Sequence, residues 1–138
     1  MKNKTALSLI EQTVMLLAFA FAAAVCLRAF VWSDRQSRLS AARDEAALRC
    51  QCAAEVLKST RGSFADAAEE LGGEVSGDTW LLRYDEDWVV TDAMDAPYRL
   101  TVTGLDSGEP GLGSALVAAD SGTERLFELT VGWQEAIP

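Results

Sequence analysis

Histidine is absent from this 138-residue chain, and cysteine and proline occur only three times each. Without an imidazole there is no His-ligated zinc, no Ser-His-Asp triad and no Cys-His dyad. Cys26, Cys50 and Cys52 are too few and too oddly placed for a secreted disulfide framework. Bases are scarce as well: 12 Lys and Arg stand against 21 Asp and Glu, a net charge of -9. That balance argues against nucleic acid as a direct partner. No Gly-rich phosphate cradle is present and no serine has a base to activate it, so the chain is expected to be neither an enzyme nor a cofactor binder.

The scarcity of bases is uneven. Residues 34 to 61 hold six bases and four acids, whereas residues 62 to 138 hold three bases, Arg83, Arg99 and Arg125, against sixteen acids. A mildly basic stem therefore carries an acidic head, whose charge reads first as a well-hydrated surface. Glycine and proline are both missing before Gly62. Nothing in that stretch interrupts a helix.

What is present is a long apolar run. Val14 to Leu27 is unbroken, Arg28 interrupts, and Ala29 to Trp32 resumes. Counted from Leu7 to Trp32, the run is about 39 Å long as a helix, more than the ~30 Å hydrocarbon core of a bilayer. One carboxylate, Glu11, lies near its front. A cleaved secretory signal would take Lys2 and Lys4 as its charged start and cut near Ala22 to Ala24, but Glu11 and Gln12 fall where its apolar core should begin. A lipoprotein reading on Cys26 is opposed by the bulk of Val25. A plain signal anchor would let Glu11 snorkel to the interface.

The stretch "KNKTALSLIEQTVMLL" resembles the amino terminus of type IV pilins and pseudopilins. That family has a short basic leader, a small residue at the cut, a hydrophobic first mature residue, glutamate fifth, and then an apolar helix. The resemblance makes residues 1–6 the leader and Ala6–Leu7 the cleavage site of a prepilin peptidase. Leu7 would be N-methylated and Glu11 would be the assembly glutamate. Ala6 in place of glycine and Leu7 in place of phenylalanine depart from the usual pattern. The physical sense of Glu11 follows: a carboxylate in hydrocarbon is costly unless paired, and the α-amino group freed at Leu7, of its own or a neighbouring subunit, is a partner one turn away.

The resemblance implies a subunit of a type IV pilus or a type II secretion pseudopilus, minor rather than major. It would be single-pass, with its amino terminus cytoplasmic and its head outside, and its partners would be the peptidase, other pilin or pseudopilin subunits and membrane lipid. The alternative is a single-pass anchored protein whose acidic head binds an extracytoplasmic partner. Loop charge does not support the inward amino terminus, because Arg35, Arg38 and Arg43 lie just past the far end of the run.

Beyond the membrane segment at 7–32, residues 33–61 read as an amphipathic helix. Leu39, Ala42, Ala46, Cys50, Ala53 and Leu57 step by three and four along one stripe, while Leu48, Cys52 and Val56 lie on roughly the opposite side. Cys50 and Cys52 thus point apart and cannot bond to each other within a helix. The head, 62–138, is expected to open with a short helix at 64–71. Ser63 would cap it, with Asp66 three residues on, and Gly72 and Gly73 would stop it. Strands are expected at 80–84, 88–91, 98–105, 114–119 and 125–133, the first two as a hairpin around "DED". In the last, Phe127, Leu129, Val131 and Trp133 share a face. The expected class is α+β: a long N-terminal helix, membrane-spanning in its first half, packed on a small antiparallel sheet, as in pilins. The acids at 85–87, 92, 95, 106 and 109 lack EF-hand spacing and read as solvated turns rather than a calcium site.

Overall fold

A computed structural model of the chain describes residues 2–135. One helix, α1 (Lys2–Ser59), opens the chain. It is followed by α2 (Phe64–Leu71) and by five strands, β1 (Glu74–Ser76), β2 (Thr79–Tyr84), β3 (Tyr98–Leu105), β4 (Leu112–Ser121) and β5 (Glu124–Gln134). The chain divides into two compact units, Met1–Ser40 and Ala41–Pro138, and α1 contributes to both. The α+β expectation holds at this level: a long N-terminal helix and an antiparallel sheet.

The first unit has no interior. Every side chain described from Asn3 to Arg38 is exposed, including Leu16, Phe19 and Phe30. The helix is long and apolar enough to cross a membrane.

The second unit has a core. The sheet is a meander in the order β1-β2-β3-β4-β5, all antiparallel. One face carries Trp80, Leu82, Leu100, Val102, Val117 and Ala119, in register across β2, β3 and β4 and almost fully buried. The stem of α1 contributes Ala46, Cys50, Ala53 and Leu57 to the same core, all fully buried, whereas Leu48 and Cys52 are exposed. The two-sided stripe of the stem therefore resolves into a buried side and an open side. Arg43 pairs with Glu124 at 3.7 Å, and the Arg49 guanidinium lies 5.7 Å from the centre of the Tyr84 ring.

Helix α2 forms as its capping chemistry demands. The Ser63 hydroxyl accepts a hydrogen bond from the Asp66 N–H, and Gly72 (φ 89°) terminates the helix. Trp80 Nε1 donates to the Gly72 carbonyl at 2.9 Å, which fastens the end of α2 to β2. At the other end of the sheet the indole of Trp133 fills the space beside Gly62 and Gly113. A Cβ at either glycine would land in the ring.

Two strand expectations need correction. Residues 88–91 are not a strand: only Tyr84 and Val90 form an isolated bridge. Trp88 adopts φ 60° and stacks on Tyr98, with ring centres 4.0 Å apart. The aromatic stack overrides the β propensity of the segment. Conversely, β1 was not anticipated. It pairs with β2 through a two-residue turn in which Gly77 takes φ 59°. In β5 the alternation of Phe127, Leu129, Val131 and Trp133 holds, opposite Ala119, Val117, Ala115 and Gly113. A bulge between Arg125 and Phe127 adds Leu126, which is also buried.

Candidate functional site

Ala6, Leu7 and Glu11 all lie within α1 and are exposed. Glu11 is four residues after Leu7, one helical turn, so the two positions share a face. Next to them the Thr13 hydroxyl donates to the Leu9 carbonyl at 2.8 Å, turning its polar atom back onto the helix. That is how a hydroxyl is accommodated in an apolar span. The face around Glu11 holds Ser8 and the apolar Leu7, Val14 and Met15, these three each more than half exposed. A carboxylate among such groups sits beside a large apolar surface that nothing in the first unit covers.

Two of the acids singled out in the head, Asp85 and Asp106, serve the backbone. Asp85 Oδ1 accepts from the N–H groups of Asp87 and Val89, at 2.9 and 3.0 Å, and so closes the turn after β2. Asp106 Oδ1 accepts from the Gly108 N–H at 3.0 Å. Both are the Asx arrangement expected of turn aspartates. Among the described residues no group of three or more acids or cysteines gathers where it could hold a metal ion.

Two buried groups have displaced proton affinities. Burial, with the Asp120 charge adding to it, pushes the Cys50 thiol up to about 12. Burial likewise pushes the Tyr84 hydroxyl up to about 12, against the opposing pull of Arg49. Cys50 is therefore a protonated, inert packing group. Cys52, two residues on, is exposed beside Leu48 on the open side of the stem.

The cross-strand register brings together residues that no spacing in the sequence links. Arg83 is directly opposite Arg99, Arg99 opposite Asp120, and Asp120 opposite Arg125. All three bases of the head thus occupy one row on the outer face of the sheet, away from α1. Arg125 is held by Asp120 at 2.5 Å and Glu128 at 2.7 Å, and the hydrogen bond to Asp120 raises its proton affinity further.

Comparison with family models, with curated proteins and with solved structures gives no match to this chain.

Proposed function

We propose that the chain is a type IV pilin-like subunit, made as a membrane-inserted precursor, cut between Ala6 and Leu7, and assembled into a pilus or secretion pseudopilus. The observation that carries this reading is the single carboxylate of the apolar run, Glu11, one turn after Leu7 in the part of α1, Asn3 to Arg38, whose described side chains are all exposed. A buried charge needs a partner, and cleavage before Leu7 creates one at the right distance. The open side of the stem, Leu48 with Cys52, supports the same reading, because it offers apolar helix surface beyond what the head covers. The work of such a subunit is mechanical and recognitional. Its partners are the prepilin peptidase, lipid and other subunits.

The reading is tested by Glu11→Gln, which keeps size and hydrogen bonding but removes the charge. The variant inserts and is cut as before, since the peptidase meets the residues around Ala6. It is lost from crosslinked assemblies with the other subunits. Normal incorporation of the variant removes the assembly role of Glu11.

A second reading, a stable single-pass anchor whose acidic extracytoplasmic head binds a partner, draws on the sixteen acids against three bases in residues 62–138. It predicts an uncut Met1 start and tolerance of Glu11→Gln.

A further inference from the structure

We propose that a cleft at one end of the sheet, where β5 finishes beside the start of α2, receives a basic side chain, lysine or arginine, of a partner protein. The inference stands without the filament reading.

The cleft lies wholly within the second unit and has a volume of about 450 Å³. That is room enough for a side chain or a small ligand. Its lining includes two half-buried aromatic residues, Phe64 and Trp133, and two exposed acids, Asp78 and Glu135. The Trp133 ring is fixed in place. A Cβ at Gly62 or at Gly113 would overlap it, so the backbone of two separate segments closes on the ring. Its Nε1 is buried without a hydrogen-bond partner among the described residues, so shape rather than a polar contact holds it. Asp78 is placed by its backbone carbonyl, which accepts from the Gly104 N–H at 2.9 Å. Gly104, with no side chain of its own, leaves the cleft open beside it.

Charge selects the occupant. Neither Asp78 nor Glu135 has an ion pair among the described residues, and no Lys or Arg lines the cleft. By contrast, Glu74, Asp120, Glu124 and Glu128 are each paired with an arginine. The three bases of the head stand toward the other end of the strands. Arg99 opens β3 beside that end, and Leu105, which closes β3, lines the cleft about 20 Å away. That exceeds the screening length of about 8 Å at physiological salt. The loop after β3 adds Asp106 and Glu109 at the cleft end and no base. Arg61, next to Gly62 in the chain, is exposed and does not line the cleft. The amino end of α2 borders it, but Asp66 in the first turn opposes the helix dipole. A cationic side chain entering here finds carboxylates to receive its N–H groups and aromatic walls that attract a cation. A neutral or anionic one gains neither.

The test uses the full chain in uncharged detergent micelles. A short arginine peptide with neutral flanks is titrated at physiological salt, with its citrulline counterpart and calcium chloride as separate arms. The indole N–H resonance of Trp133 is followed by NMR, and that of Trp80, buried in the core, reports that the fold is intact. The expected result is a saturable shift at Trp133 with the arginine peptide, none with the citrulline peptide, and no movement of Trp80. Asp78→Asn combined with Glu135→Gln, both exposed substitutions, abolishes the shift while Trp80 keeps its position. Four results overturn the proposal: no saturable shift with the arginine peptide, an equal shift with citrulline, an undiminished shift in the double variant, or the same shift with calcium alone. Movement of the Trp133 resonance with protein concentration, without peptide, would assign the cleft to a second copy and overturn the separate partner.

Discussion

The two units of this chain use apolar residues in opposite ways. Before Ser40, Leu, Phe and Val are laid out on a bare helix with none buried. After Ala41 the same residue types are closed into a core: Leu57, Leu82, Leu100 and Val102 are fully buried. The helix α1 runs through both, so helix formation is not what separates them. The difference lies in pattern. An all-round apolar helix finds no aqueous interior large enough to receive it and needs lipid or other subunits. A one-sided stripe needs only the single face of an antiparallel sheet.

One residue type should therefore respond differently in the two units. Leu57→Asp places an unpaired charge in the core and should cost on the order of 4 kcal/mol, lowering the unfolding midpoint of the head as read by tryptophan fluorescence. Leu17→Asp should leave that midpoint where it is and instead reduce membrane retention, read by fractionation. Equal effects of the two on the head would erase the distinction.

A smaller effect is expected where the core is tight rather than apolar. Gly113 lies against the Trp133 indole in β4, and its backbone is not in a glycine-only conformation. Gly113→Ala should then cost about 1–3 kcal/mol from overpacking alone, measured by chemical denaturation. A neutral result would mean that the indole moves freely.

Smallest near neutrality, but specific to the second unit, is its alkaline response. Cys50 and Tyr84 hold their protons in the folded head up to about 12, whereas the unfolded chain releases them from about 9 and about 10. Stability from both groups is complete below pH 9 and falls as pH rises toward 12, because the unfolded state is then the less protonated one. Cys50→Ala should flatten the early part of that fall, between about 9 and 10, in a series of melting temperatures against pH. An unchanged profile would place the alkaline response elsewhere.

Legibility in the sequence tracked the range of the forces involved. The cap at Ser63 and the stop at Gly72 are local chemistry, and α2 appeared where they put it. The stem stripe and the alternation in β3 and β5 are periodicities, and they held. Residues 88–91 looked like a strand because propensity is local. Their conformation is set by Tyr98, ten residues from Trp88 and reached only after folding. Strand β1 is three residues long and wholly exposed, so it carries no alternation, and the turn at Gly77 was its one signal. Leu126 is buried by a bulge that no alternation rule anticipates. The arginine row needs the register of four strands and could not be read from spacing. Ala6, Leu7 and Glu11 are the reverse case. Their significance rests on a sequence pattern, and the fold adds only that they share an exposed helix.

The central claim is that this helix is a precursor segment whose mature end begins one turn before Glu11. The most direct measurement is the amino-terminal mass of the protein extracted from membranes of a host with an active prepilin peptidase. The account predicts a chain beginning at Leu7 with a methylated α-amino group. A chain that still begins at Met1, or one that begins near Val25 or Cys26, would contradict it.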